Sequence, residues 1–174
     1  MRLLAFIFLL TSSNLISQEI KRADSERSSI SYTGKHFLHK WSAENKNISG
    51  LIQIEDESIS NIGIVLKVSD FKSGNSSLDS NSLRVLDALQ FPNVIFKSAD
   101  VKQENGEIIF EGTLNFHGIE KDFKILAEVT QLDGITNLFG KFSVSLTEFL
   151  VKRPSLLTRK IDDEINLEFD LYFN

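Results

Sequence analysis

The chain has 174 residues, a length typical of one domain. Its 19 basic and 24 acidic residues give a net charge of −5, which argues against a nucleic-acid partner because phosphate contacts require a positive field. The sequence has no cysteine, which excludes disulfides, thiolate zinc sites and cysteine nucleophiles.

The N-terminal segment has the pattern of a secretory signal peptide. Arg2 precedes the unbroken apolar run Leu3–Leu10, and the polar stretch Thr11–Ser17 follows. This run is too short to span a bilayer, which needs about 20 residues in a helix. We predict a signal peptide over residues 1–17 and one folded domain over residues 18–174. Export without cysteine favours a periplasmic or secreted protein of the bacterial cell envelope.

Beyond the first 27 residues, apolar and polar residues alternate with the two-residue period of half-buried β-strands. The spacing of glycine-containing turns between the later runs is typical of long antiparallel strands. The eight predicted strands are Ser28–Tyr32, Ile48–Ile54, Ile59–Val68, Asn93–Val101, Ile108–Phe116, Phe123–Thr130, Leu138–Ser145 and Ile161–Phe173.

Three other segments lack this alternation. Leucines recur at three- to four-residue spacing across Asp79–Gln90, which predicts a helix that ends at Phe91-Pro92. A second short helix is predicted over Gly34–Trp41. Residues 18–27 are charged and aperiodic, and we predict a frayed leader into the first strand.

Strands that are apolar on one face either stack as two sheets or close into a barrel, and their length favours the barrel. Closure also removes the edges that promote aggregation. The expected fold is therefore all-β, an extended antiparallel barrel of eight strands with one or two short helices. A strand of about eleven residues, tilted by ~40°, reaches on the order of 28 Å along the axis, enough to enclose an alkyl or prenyl chain.

Phenylalanine dominates the aromatic residues, with 14 Phe against 1 Trp and 2 Tyr. A cavity with such walls would accept a hydrocarbon without leaving a hydrogen bond unmade, but the same rings could simply fill the core. Composition leaves both alternatives open. The residues predicted to line the interior, from the inward register of the strands, are Phe96, Phe110, Leu114, Phe123, Phe142, Val144, Ile165 and Phe169.

Three segments stand out in this order along the chain: Gly74–Phe96, Glu111–Phe123 and Arg153–Leu157. Together they resemble the YceI-like family. Gly74–Phe96 is similar to its helix-and-strand signature, including the aromatic-Pro pair, and Glu111–Phe123 is similar to its G-x-L-x-x-x-G-x-x-K segment. Arg153–Leu157 matches the Arg-Pro-Ser-Leu-Leu variant of some branches. The resemblance covers residues 28–173. Leu78 and Asn81 stand where the family often has Arg and His around the helix Asp.

This resemblance implies an extended lipocalin-like barrel, periplasmic or secreted, that binds a polyisoprenoid, an isoprenoid quinone or another long amphiphile in its interior. It implies no catalysis. The sequence also has no nucleophile elbow, zinc-protease motif, phosphate-binding loop or dinucleotide fingerprint. We therefore expect neither an enzyme nor a cofactor.

The polar clusters have ordinary explanations. His36 and His39 would share a face of the predicted helix, but a metal site needs three or four ligands and none other is evident nearby, so no metal is expected. His117 is read as a polar turn residue. The acidic runs at 55–57 and 162–164 lack a calcium-binding loop and are read as solvated faces.

Two charged residues are predicted at the mouth of the pocket. Asp79, at the expected start of the helix, would either cap free N–H groups or lie at the mouth. Arg153, beside Lys152, would either lie in an exposed basic loop or contact the head group of a ligand.

The leading hypothesis is an exported barrel that carries or sequesters a long-chain lipid, as a monomer or homodimer with transient membrane contact. One alternative is a structural or stress-protective barrel with a filled core that acts through protein partners. Another is a hydrolase or isomerase of a similar lipid, which would need polar side chains converging inside the barrel.

Overall fold

The computed structural model describes residues 18–156 and 158–174, so the predicted signal peptide lies outside the described residues. In these ranges the fold comprises twelve strands, one α-helix and two 3₁₀ turns. The helix is α1 (Ser76–Val85), and the 3₁₀ turns are Val68–Asp70 and Thr147–Phe149. The strands are β1 (Gln18–Arg22), β2 (Ser29–His36), β3 (His39–Asn45), β4 (Ile48–Glu55), β5 (Ser58–Lys67), β6 (Asn93–Glu104), β7 (Glu107–Phe116), β8 (Ile119–Leu132), β9 (Ile135–Ser145), β10 (Ser155–Leu156), β11 (Arg159–Lys160) and β12 (Glu164–Phe173).

Ten strands form one antiparallel sheet in the order β1-β4-β5-β6-β7-β8-β9-β12-β2-β3, and β10 and β11 form a separate hairpin. The sheet curls into a barrel, and backbone hydrogen bonds connect each of its two edge strands to another part of the chain. At one edge Arg22 and Asn174 exchange backbone hydrogen bonds of 2.9 and 3.0 Å, which joins β1 to the end of β12. At the other, Glu44 of β3 and Lys72 exchange bonds of 3.0 and 2.8 Å. The predicted all-β antiparallel barrel is confirmed.

The sheet has ten strands where eight were predicted. The two additional strands, β1 and β3, come from segments for which the predictions were wrong. Residues 18–27 are not a frayed leader, because β1 pairs with β4 from Gln18↔Glu55 to Arg22↔Leu51. Charged side chains on this short strand hid its period. Lys21 is the inward residue, and its apolar stem takes the place that an aliphatic side chain would normally occupy.

The helix predicted over Gly34–Trp41 is also absent, because this segment forms the β2–β3 hairpin around Phe37 and Leu38. Gly34 lies opposite Trp41, and a Cβ on the glycine would overlap the indole ring. The ring therefore covers the glycine backbone, a packing that the hairpin permits and a helix would not.

Helix α1 begins three residues before its predicted start at Asp79 and ends at Val85 rather than Gln90. The N-cap is Asn75, whose side-chain oxygen accepts hydrogen bonds of 3.0 and 3.1 Å from two backbone N–H groups of the first turn. Asp79 is therefore not the cap. Asp87, with a φ of 42°, turns the chain out of the helix.

The two ends of the barrel differ in their connections. The hairpin end carries the tight turns β4–β5, β6–β7 and β8–β9 together with β1. The helix end carries α1, the β7–β8 turn at His117 and Gly118, the β2–β3 tip and the β10–β11 hairpin. In the described part of the chain, no helix is long and apolar enough to cross a lipid bilayer.

The hairpin end is filled by side chains. Ile52, Ile108 and Phe173 are completely buried there. Lys21 reaches across from β1, and its Nζ donates a 2.7 Å hydrogen bond to the carbonyl of Gly134 in the β8–β9 turn. This contact satisfies the ammonium group and leaves the aliphatic stem packed on the core.

Candidate ligand-binding cavity

The interior of the helix end holds a cavity of about 240 Å³. Its walls are the inward residues of β2, β5–β9 and β12, and α1 lies over it together with Leu146, Val151, Pro154 and Ile161. The apolar residues of the walls are Ile30, Ile62, Ile64, Leu66, Val94, Phe96, Phe110, Leu114, Phe116, Ile125, Leu138, Phe142, Val144, Ile165, Leu167, Phe169 and Leu171.

Alternation along the strands positions these residues, because every second side chain points to the interior. Cross-strand pairs then place them side by side, as for Phe96 and Leu114 or Val144 and Ile165. Phe169 lies opposite Gly140, and a Cβ on the glycine would be 2.5 Å from the phenyl ring. The missing side chain makes room for the ring.

Seven of the eight residues predicted to line the interior do line this cavity: Phe96, Phe110, Leu114, Phe142, Val144, Ile165 and Phe169. Phe123 lies outside it, half-buried, with its ring edge-on to Phe142 at a centroid distance of 5.7 Å. A ligand contact at any of these residues stays a prediction.

The polar residues of the cavity lie at the mouth, on α1 and on the strands β2 and β3 that face it. They are Tyr32, Trp41, Asp79, Asn81 and Ser82. The hydroxyl groups of Tyr32 and Ser82 are 3.3 Å apart and hydrogen-bond the β2 strand to the helix. The cavity is therefore lined by apolar side chains along its length and by polar side chains only at its mouth.

Burial raises the pKa of Tyr32, the hydrogen bond with Ser82 partly opposes this rise, and the nearby Asp79 carboxylate adds a smaller increase. The phenol consequently stays protonated at physiological pH. Its hydroxyl is available to donate a hydrogen bond to a ligand or to accept one from Ser82.

Asp79 lines the mouth, as predicted from the sequence, but its carboxylate is hydrogen-bonded to the loop that precedes α1. It accepts hydrogen bonds from the Ser73 hydroxyl and, at 2.9 Å, from the Ser73 N–H, and these bonds lower the pKa of Asp79. Among the described residues that line the cavity, Asp79 is the only charged one. The mouth therefore offers hydrogen bonds to a ligand but no positive charge.

Arg153, the other predicted mouth residue, does not line the cavity. Its guanidinium donates a 3.1 Å hydrogen bond to the carbonyl of Ile161, and its Nε lies 3.5 Å from Asp163. The Asp163 carboxylate also accepts bonds from Ser145 and Thr147, which lower its pKa. Arg153 thus holds the loop beside the mouth.

Sequence reasoning missed Tyr32, Trp41 and Ser82. The helix expected over Gly34–Trp41 concealed the inward orientation of Trp41, and Tyr32 was the last residue of the short predicted strand Ser28–Tyr32. The alternation of Ile30, Tyr32 and Gly34 was the available signal.

The histidines have structural positions. His36 and His39 face each other across the β2–β3 hairpin, and in the described ranges no three metal-binding side chains are grouped to hold an ion. His117 lies in the β7–β8 turn, 3.0 Å from the carbonyl of Phe149 and 3.5 Å from the carboxylate of Asp87. It connects the end of α1 to the loop that follows β9.

An antiparallel barrel with an apolar internal cavity and a polar mouth places the chain among barrels with a pocket suited to small apolar molecules. The particular family follows from its sequence: the model of the YceI-like domain matches residues 22–173. The chain belongs to the YceI-like family, which confirms the resemblance described above. No curated protein sequence matches it.

Solved structures show the same fold. Burkholderia cenocepacia BcnA superposes with a TM-score of 0.78 at 17% identity, covering 86% of this chain and 98% of that chain. A polyisoprenoid binding domain from Saccharophagus degradans, implicated in plant cell wall breakdown, gives 0.70 at 10% identity, covering 92% and 99%. The Campylobacter jejuni YCEI protein gives 0.63 at 15% identity, covering 98% and 91%.

Proposed function

We propose that the protein binds a long-chain lipid of isoprenoid type in this cavity and carries or sequesters it in the cell envelope. The observation that carries the proposal is the distribution of polarity, with apolar walls along the cavity and polar groups only at its mouth. The polyisoprenoid-binding structural neighbour supports the same class of ligand.

The energy of binding would come from the chain of the ligand. Each methylene moved from water into an apolar site is worth about 0.8 kcal/mol, so ten of them supply about 8 kcal/mol. One neutral hydrogen bond at the mouth contributes only about 1 kcal/mol. The apolar walls would therefore set the affinity, and the mouth would set the choice between head groups.

The mouth favours a neutral head group such as a hydroxyl or a quinone carbonyl. The Tyr32 hydroxyl and the Trp41 indole N–H belong to residues that line it, and both groups can donate hydrogen bonds. A carboxylate or phosphate would meet the ionised Asp79 there, without a compensating Lys or Arg among the described lining residues. We expect a prenol or quinone to bind more tightly than a fatty acid or prenyl phosphate of the same length.

The alternative drawn from the sequence is a barrel with a filled core, and the packing of the hairpin end agrees with it. The cavity at the helix end supports the carrier hypothesis instead. Export is part of the proposal: residues 1–17 would be removed, so the intact mass of the mature protein should correspond to a chain that starts at Gln18.

Trp41 provides a direct test, because it is the only tryptophan of the chain and it lines the mouth. Titration of the delipidated protein with geranylgeraniol should shift the Trp41 emission and saturate at one ligand per chain. Palmitate should saturate at a higher concentration. An emission spectrum that no long-chain ligand changes would contradict the proposal.

A further inference from the structure

The β2–β3 hairpin extends past the start of β12 at the helix end. β2 pairs with β12 as far as Thr33↔Asn166 and then continues to His36, so the tip of the hairpin projects beyond the start of β12. At this tip the side chains of Phe37 and Leu38 are 51% and 59% exposed. Two adjacent large apolar residues thus project into solvent beside the mouth of the cavity.

A second segment supports the tip. The backbone N–H of Asp162 donates a 2.9 Å hydrogen bond to the carbonyl of Lys35, and the guanidinium of Arg159 lies 4.8 Å from the centre of the Phe37 ring. Trp41 and Ile161, which flank these contacts in sequence, both line the cavity. The tip and the mouth therefore belong to one rim.

This rim is basic in an acidic protein. Residues 30–43 and 149–162 contain six Lys and Arg and one acidic residue, Asp162, although the chain as a whole has a net charge of −5. Lys35, Lys40, Arg159 and Lys160 are exposed, and none of the four takes part in a salt bridge within residues 18–156 and 158–174. Their charge is therefore available to a partner.

We propose that Phe37 and Leu38, with Lys35, Lys40, Arg159 and Lys160, form a docking surface for an anionic lipid bilayer. The two apolar side chains would enter the interface, and the cations would pair with anionic head groups, each adding to the affinity. Docking there would turn the mouth toward the membrane. The choice of a bilayer rather than an acidic protein rests on the proposed function, since a lipid ligand has to leave a membrane to enter the cavity.

Other exposed side chains agree with this orientation. Leu150, which follows the 3₁₀ turn Thr147–Phe149, and Leu89, which follows α1, also lie at the helix end and are 71% and 104% exposed. At the hairpin end Ile20 and Leu132 are 63% and 74% exposed, and each has an acidic neighbour, Glu19 and Asp133 respectively.

Flotation of the purified protein with vesicles tests the proposal. The protein should bind vesicles of phosphatidylcholine mixed with phosphatidylglycerol, bind phosphatidylcholine vesicles much more weakly, and dissociate as salt is raised. The double variants Phe37→Ser/Leu38→Ser and Lys40→Glu/Lys160→Glu should each weaken binding by about tenfold or more.

Matched controls lie away from the docking surface. Leu132→Ser removes an apolar residue that is 74% exposed at the hairpin end, and Lys97→Glu reverses an exposed charge on the barrel wall. Both controls should bind the mixed vesicles as the wild type does. Absence of binding by the wild type, or equal losses in the controls and the docking variants, would overturn the proposal.

The vesicles contain no isoprenoid, so the assay does not depend on the cavity being a binding site. Docking variants should retain the Trp41 response to geranylgeraniol in solution. Vesicle binding without any Trp41 response would contradict the proposed function alone, and a Trp41 response without vesicle binding would contradict the docking surface alone.

Discussion

The two ends of the barrel are built by the same strands and yet one is filled and the other is hollow. On β5, Ile59 packs into the core of the hairpin end, whereas Ile64 and Leu66 face the cavity. The difference lies in what covers each end. β1 and the stem of Lys21 pack directly on the hairpin end, whereas α1 spans the helix end without burying any of its own residues.

The comparison shows that an alternating apolar pattern specifies which residues face inward. It does not specify whether the inward side chains of opposite walls contact one another. The inward side chains meet where a strand or a tight turn brings the walls together. They leave a cavity where a helix and a long loop are held by polar contacts at their margins.

Truncation of an isoleucine at each end should give the largest difference in stability. Ile108→Ala leaves a void at a completely buried position and should lower the free energy of unfolding by about 3–5 kcal/mol. Ile165→Ala should cost about 1–2 kcal/mol, because Ile165 already faces empty space and loses fewer contacts. Urea denaturation of the delipidated proteins measures both. Equal losses would mean that the two ends are packed alike.

Enlarging a valine at each end should have opposite consequences. Val129→Phe overpacks the hairpin end and should destabilise the protein by about 1–3 kcal/mol while leaving ligand binding intact. Val144→Phe places the larger side chain in the cavity. It should therefore leave the free energy of unfolding nearly unchanged and abolish the Trp41 response to geranylgeraniol. Binding that survives Val144→Phe would contradict the location of the site.

Asp163 stabilises the loop beside the mouth in a pH-dependent way. Hydrogen bonds from Ser145 and Thr147 lower its pKa in the folded protein, so the carboxylate stabilises the fold above the unfolded pKa of about 3.9. This contribution is lost as pH falls through the lower folded pKa.

Asp163→Asn should therefore cost about 1 kcal/mol at neutral pH, and the difference from the wild type should shrink in acid. Denaturation between neutral pH and about pH 3 measures it. Asp162→Asn, at the exposed neighbouring position, is the control and should have no effect. A cost that stays constant down to the lowest pH would contradict a role for the charge.

The smallest predicted effect lies at the mouth. Tyr32→Phe removes the hydroxyl that bonds Ser82 and should weaken binding of geranylgeraniol by about fivefold while leaving a bare alkane unaffected. Tyr172→Phe, which removes a hydroxyl that bonds Asp170, serves as the control. If the alkane lost as much affinity as the alcohol, Tyr32 would be shaping the wall rather than contacting the head group.

Much of the fold could be predicted because alternation is local. The runs that became β4–β9 and β12 show it plainly in the sequence, and the inward register of β6, β7 and β9 placed several cavity residues. The family resemblance added the topology that local patterns do not contain.

The remaining errors have physical causes. β1 is held by backbone hydrogen bonds and the snorkelling Lys21, neither of which leaves an apolar pattern. The β2–β3 hairpin depends on the fit of Trp41 over Gly34, a contact between residues seven positions apart. The cavity itself could not be predicted, since it results from how α1 and the loops cover the helix end.

Native mass spectrometry of the protein isolated from its own cell envelope, without detergent, tests the central claim most directly. The wild type should carry one long-chain lipid per chain and release a neutral isoprenoid on extraction, whereas Val144→Phe should show the mass of the protein alone. A wild type without bound lipid, or a Val144→Phe variant that carries the same lipid in the same amount, would contradict this account.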